Sequence, residues 1–173
     1  TTALATALKR LEPDFIATFD LSAGGLSDEK GAALVQAVAQ QAQLTTLSLS
    51  RNLLGRATMK ELEALLVPPS MMVTTLDLSS NRLGDGGMQV LAHAMTSGTS
   101  WSSEEGQRHY PNKTITSLDL RSNEIRFAGA CALGSVLEMN GTLQKLWVSG
   151  NAIGSRGAKK LAEALEANGT TSL

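Results

Sequence analysis

Five stretches of this chain share one spacing of apolar and polar positions. Ile115 to Asn123 reads I-T-S-L-D-L-R-S-N, apolar at its first, fourth and sixth places and asparagine at its ninth. Leu44 to Asn52, Val73 to Asn81 and Leu143 to Asn151 repeat it, and Ile16 to Gly24 is a weaker copy with glycine at the ninth place. The starts at 16, 44, 73, 115 and 143 lie 28, 29, 42 and 28 residues apart. Self-similarity at this period is the signature of a repeat array. Within each unit, alternation sends Phe19/Leu21, Leu47/Leu49, Leu76/Leu78, Leu118/Leu120 and Leu146/Val148 to one side, as in a strand with one buried face. Strands are expected near 17–21, 45–49, 74–78, 116–120 and 144–148. A turn follows, with an aliphatic residue two places beyond the ninth: Leu26, Leu54, Leu83, Ile125 and Ile153. Gly55, Gly84 and Gly154 come next, suited to a reversal at positive φ, with Arg126 at that place in the fourth unit. A helix then buries Leu34/Val38, Leu62/Leu66, Leu91/Met95, Leu133/Leu137 and Leu161/Leu165, four apart and at one offset from the strand in every unit.

One strand and one helix cannot bury their apolar faces alone, whereas stacked units share a continuous core. Strands pair about 4.8 Å apart and helices need about 10 Å. The stack therefore curves, with a parallel sheet inside and helices outside, right-handed like other β-α-β units. Asn52, Asn81, Asn123 and Asn151 should turn inward and bond the backbone of neighbouring turns. Even repetition at a turn marks these four as a structural ladder.

The pattern resembles the leucine-rich repeat family in its ribonuclease-inhibitor-type subclass, whose unit reads L-x-x-L-x-L-x-x-N-x-(I/L)-G followed by G-A-x-x-L-A-x-A-L. Gly157 to Leu165, G-A-K-K-L-A-E-A-L, matches the second half closely. The resemblance covers nearly the whole chain and implies an α/β solenoid, one domain over residues 1–173. It implies intracellular, cytoplasmic protein partners, as for ribonuclease inhibitor and the sensing arrays of NOD-like receptors. Similar repeats occur in the GTPase-activating protein of the Ran system, which implies regulation of a small GTPase as an alternative, although no arginine stands out as a finger. A third reading is an architectural piece of a cytoskeletal or flagellar assembly. The fold by itself does not choose among these.

The departures from the period are few. Residues 1–15 hold the helical half of a preceding unit, with Leu4, Leu8 and Leu11 at helical spacing, and the chain stops where a sixth strand should begin. The expectation is a longer natural protein, or ends that meet another chain. Residues 97–114 form a polar insertion carrying Trp101 and Tyr110. It is either a tolerated surface loop or a binding loop anchored by those two aromatics. Pro68-Pro69 ends the second full helix early.

Composition narrows the function. Apolar residues make up 42% of the 173, enough for a core, and the net charge of −1 gives no reason to expect nucleic acid. No stretch approaches a membrane span, and Thr1 to Leu11 has no basic start followed by a long apolar run, so these residues are not expected to be a secretory leader. Cys131 is the single cysteine, with no basic neighbour in sequence to activate it. His93 and His109 have no metal-ligand spacing, and Gly84-Asp85-Gly86-Gly87 lacks the ending of a phosphate loop. No catalysis, cofactor, metal or small-molecule substrate is expected. Three N-x-T triplets at Asn112, Asn140 and Asn168 are expected to be unmodified.

The outward strand residues form the candidate binding face. By unit they are Thr18, Asp20 and Ser22; Thr46, Ser48 and Ser50; Thr75, Asp77 and Ser79; Ser117, Asp119 and Arg121; Lys145, Trp147 and Ser149. Arg121, Lys145 and Trp147 come together on adjacent strands with Asp77 and Asp119 beside them. Trp147 packs flat on its neighbours, touches the next repeat of a longer chain, or anchors a protein partner. In the last reading Arg121 and Lys145 meet acidic groups of the partner, and Asp77 and Asp119 meet basic ones.

Overall fold

The computed structural model describes residues 2–8, 10, 16–66, 72–96 and 112–168. The elements run α1 (Thr2–Leu8), β1 (Thr18–Asp20), α2 (Asp28–Val38), β2 (Thr46–Ser48), α3 (Arg56–Leu66), β3 (Thr75–Asp77), α4 (Gly84–Thr96), β4 (Ser117–Asp119), α5 (Phe127–Met139), β5 (Lys145–Trp147) and α6 (Gly154–Ala167). The five strands form one parallel sheet in chain order. Each helix packs on the next helix in the series. The molecule is an α/β solenoid with its core between the two layers. Residues 97–111 of the 97–114 insertion, with Trp101, Tyr110 and His109, lie outside the described residues, as do Pro68-Pro69 and the last five residues.

Each strand is shorter by one residue at both ends than its alternation suggests. The hydrogen bonding runs on past it: Leu49 N–H donates to Asp77 C=O at 2.8 Å and Arg51 N–H to Ser79 C=O at 2.8 Å. The leucines at the fourth and sixth places of the inner units, Leu47/Leu49, Leu76/Leu78 and Leu118/Leu120, are fully buried. Each such side chain contributes about 1.5–3 kcal/mol relative to exposure. Their counterparts in the outer strands, Phe19, Leu21, Leu146 and Val148, are half-buried, since among the described residues each outer strand pairs on one side only. Leu165 departs from the expected core: it is 39% exposed. Among the described helices α6 packs on α5 alone, so the side carrying Leu165 is uncovered.

The turns explain why asparagine recurs. Asn81 Nδ2 donates to Leu49 C=O at 3.0 Å and Leu78 C=O at 2.9 Å, while its Oδ1 accepts Leu54 N–H at 3.0 Å. Asn52 and Asn151 bind in the same manner across their own junctions. Asn123 keeps its donor bonds to Leu78 and Leu120, but its Oδ1 has no partner among the described residues. At that junction Gly84 N–H donates instead to the Asn123 backbone carbonyl at 2.9 Å. The residue before each ninth place is left-handed in all five units: Ala23, Arg51, Ser80, Ser122 and Gly150. In the three inner units the ladder bonds over-determine the strained residues, Arg51, Ser80 and Ser122. Of the three turn glycines, Gly84 and Gly154 do have positive φ. Gly55 does not. Its reason is close approach: an added Cβ would lie 3.2 Å from Asp28 Oδ2 and 3.3 Å from Arg82 C=O.

A second asparagine ladder runs along the opposite edge, where helix returns to strand. Asn112, Asn140 and Asn168 are buried. Asn112 Nδ2 donates to Leu66 C=O, Asn140 Nδ2 to Asn112 C=O and Asn168 Nδ2 to Asn140 C=O, each at 2.9 Å. Asn140 Oδ1 accepts the N–H groups of Thr142 and Leu143, both at 2.9 Å, and Asn112 does the same for Thr114 and Ile115. In the second unit this place belongs to Gln41, three residues before Leu44. Its side chain is fully buried, with neither polar atom bonded among the described residues.

Carboxylates stitch the helix starts together. Asp28, in the first turn of α2, accepts Gly55 N–H, Ala57 N–H, Thr58 N–H and the Thr58 hydroxyl at 2.7–2.9 Å. It thereby caps α3, the helix of the next unit. Burial works to raise the Asp28 pKa, but the bonds from Thr58, Gly55 and Ala57 outweigh it and hold the group below the ordinary carboxylate value. Asp85 does the same for α5, its Oδ1 accepting Arg126 N–H and Gly129 N–H at 2.8 Å.

Candidate recognition face

The sheet register sets the candidate residues in rows across the strands. One row is Thr18, Thr46, Thr75, Ser117 and Lys145, and the next is Asp20, Ser48, Asp77, Asp119 and Trp147. Trp147 therefore stands directly beside Asp119, which stands beside Asp77. The indole is 41% exposed, and Lys145 is exposed on the same strand. Alternation turns both away from the core that Leu146 joins.

Arg121 and Asp119 are brought together more tightly than the others. They sit two apart, and the guanidinium Nε lies 3.0 and 2.9 Å from the two carboxylate oxygens, with Nη2 also bonded to Oδ2. The hydrogen bond and the charge of Asp119 hold the Arg121 pKa above its usual value. Burial opposes this slightly, and Asp77 adds to it. Asp119 is 7% exposed, so its carboxylate is occupied within the fold and turned from solvent. Arg121 keeps half its side chain exposed. The surface offered at this end is thus Trp147, Lys145 and the outer face of a neutralised Arg121–Asp119 pair, with Asp77 beside it.

Sequence reasoning missed a local task for the aspartates. Asp20, Asp77 and Asp119 each accept the N–H two residues on, from Ser22 at 2.8 Å, Ser79 at 2.9 Å and Arg121 at 3.0 Å. These bonds close the chain as it leaves the strand. The Ser22 N–H and hydroxyl, with the Ser48 hydroxyl, lower the Asp20 pKa against a small effect of burial. For Asp20 and Asp77 the serine two residues on was the available signal; at Asp119 that place holds Arg121. Among the described residues no group of three or more His, Cys, Asp or Glu could hold a metal ion. No described helix is long and apolar enough to cross a membrane. Cys131 is half-buried on α5.

A family model described as Leucine Rich repeat matches residues 70–92, 112–134 and 140–162, three of the units with their strand, turn and helix in this register. The chain is a leucine-rich repeat protein. No curated protein matches its sequence. Two solved structures share the fold of this leucine-rich repeat protein at low identity. One, leiomodin-1 actin-binding site 2, superposes with a TM-score of 0.70 at 15% identity, over 96% of this chain and 87% of that one. The other, a tropomodulin C-terminal domain of Caenorhabditis elegans, gives 0.68 at 14% identity, over 96% and 92%.

Proposed function

We propose that this leucine-rich repeat domain is a non-catalytic protein-recognition module whose concave face is anchored by Trp147. The observation that carries the reading is the exposed indole at a position where the strand has no use for it. Tryptophan and arginine are the types most enriched at binding hot spots. Lys145 and Arg121 would meet carboxylates of the partner and Asp77 a basic group, while Asp119 acts through Arg121 by holding its guanidinium. The leiomodin-1 structure is that of an actin-binding site, and the likeness favours a cytoskeletal partner over a GTPase for this chain. Trp101 and Tyr110 stay secondary candidates.

The test uses purified actin, monomeric and filamentous, in fluorescence anisotropy and co-sedimentation. Trp147→Ala should weaken binding by about 2 kcal/mol or more and leave the melting temperature almost unchanged. If actin does not bind, the cytoskeletal reading falls. Wild-type and Trp147→Ala columns loaded with cell extract then test the face itself, each captured protein being remeasured in pure form. A partner whose affinity survives the substitution while stability drops makes Trp147 structural. GTP hydrolysis by a panel of small GTPases, accelerated by the domain, would favour the regulator instead.

A further inference from the structure

The strand-to-helix edge of the solenoid carries a separate charged surface. Arg51, Arg56, Arg82, Arg126 and Arg156 all fall within the turns or first helical residues of units two to five, and all five are exposed. None forms an ion pair among the described residues. Arg51 lies in the left-handed residue of its turn, and Arg82 in the next turn donates its N–H to Leu54 C=O, so the two turns are bonded neighbours. Arg56 extends across the first turn of α4, where a Cβ on Gly86 would lie 4.0 Å from its Cδ. Arg156 rests on the Phe127 ring, 4.6 Å from its centroid.

Four carboxylates share this edge, and they do not cancel the arginines. Asp28 and Asp85 point into the starts of α3 and α5, where backbone N–H groups hold them. Glu29 belongs to the first unit, beyond the arginine stretch, which leaves Glu124 alone among the exposed acids of units two to five on this edge. Helices α3 to α6 all begin here; α3 and α5 hold Asp28 and Asp85 at their starts, and the positive ends of the other two dipoles, α4 and α6, add to the field of the arginines. Arginine, planar and weakly hydrated, is the cation suited to paired carboxylates.

We infer that this edge is a second docking surface, for an acidic segment of a protein partner, independent of the concave face. A nucleic acid fits less well. Asp77 flanks the edge on the concave side, where a duplex, wider than a single peptide strand, would meet it, and the one aromatic ring described along the edge, Phe127, already carries Arg156 over its face.

The test is fluorescence anisotropy with a labelled peptide of ten glutamates, at low and at moderate salt. Wild type should bind at low salt and weaken as salt rises. Arg51→Gln/Arg56→Gln/Arg82→Gln should lose about ten-fold in affinity. Lys60→Gln/Lys113→Gln/Lys159→Gln, an equal charge change elsewhere, should stay within about two-fold, and Trp147→Ala should bind as wild type does. If the arginine triple loses helical circular dichroism, Arg56→Gln and Arg82→Gln singly replace it, each expected to lose about two-fold. Equal losses in both triples, or tighter binding of duplex DNA or phosphatidylserine vesicles than of the peptide, overturn the inference. So does an absence of binding by wild type.

Discussion

Replacing Asn140 by alanine should destabilise the fold strongly, although the residue looks from sequence like a glycosylation acceptor. Its side chain satisfies three backbone groups: Asn112 C=O from the preceding unit, and the N–H groups of Thr142 and Leu143, all at 2.9 Å. The Asn112 and Leu143 bonds are buried. A hydrogen bond is worth about 1 kcal/mol net, and a buried group left unpaired costs about 1–3 kcal/mol. Water can reach the half-buried Thr142 after the change, so the sum is about 2–4 kcal/mol. For a chain of this size that lowers the melting temperature by about 5–15 °C. The assay is urea and thermal unfolding of protein made in bacteria, where no glycan is added. Thr142→Ala is the decisive companion, because it destroys the N-x-T triplet while sparing the three Asn140 bonds. It should cost under about 1 kcal/mol. A loss below about 0.5 kcal/mol for Asn140→Ala, or equal losses for the two variants, would refute the ladder.

Gln41 stands at the same place in its unit, buried and unbonded among the described residues; Gln41→Met should therefore raise stability, by about 1 kcal/mol in urea unfolding. Asp28 has its pKa lowered in the fold, so its contribution is present above its unfolded value of about 3.9 and disappears as pH falls through the lower folded value. Stability measured from pH 6 down to pH 2 should drop less steeply in Asp28→Asn, which also sets an amide N–H against Ala57 N–H. A Cβ on Gly31 would lie 2.3 Å from Leu54 Cδ2 and 2.8 Å from Thr58 Oγ1; Gly31→Ala should cost about 1–3 kcal/mol. Gly134, inside α5, has nothing nearer than 3.7 Å, and Gly134→Ala should instead gain up to about 1 kcal/mol; calorimetry of the two variants checks the contrast.

The repeat was legible because burial imposes period. Residues that share a core must recur at one offset, so the leucines of strand and helix, and Asn52, Asn81, Asn123 and Asn151, fall into register from the sequence alone. The second ladder obeys the same logic, with Asn112, Asn140 and Asn168 each 28 residues apart. It was hidden by a coincidence of chemistry. An asparagine that bonds the N–H two residues on, with threonine there to bond back, writes the same letters as an acceptor for glycans: Thr142 Oγ1 lies 3.1 Å from Asn140 Oδ1. Spacing distinguishes the two, because nothing about glycosylation requires a fixed period. The caps were hidden for another reason. A helix start is read from the residues next to it, whereas Asp28 and Asp85 cap helices in the following unit, so no local pattern contains both partners.

The candidate face divides along the same line. Alternation alone exposes Trp147, since period 2 assigns Leu146 inward and leaves its neighbours outside. The same period, carried past the end of β4, puts Asp119 and Arg121 on one side of the chain, two residues apart, close enough to meet. Two opposite charges at that spacing satisfy each other before any partner arrives, as the 2.9 Å contact demonstrates. The general step is to cancel local pairs first and read the remainder. Applied to the concave face around Trp147, it leaves Trp147, Lys145 and Asp77. Applied to the strand-to-helix edge, it removes Asp28 and Asp85 into helix starts and leaves a row of arginines without ion pairs among the described residues. Uncancelled charge, more than total charge, is where a solenoid of net charge −1 can be specific.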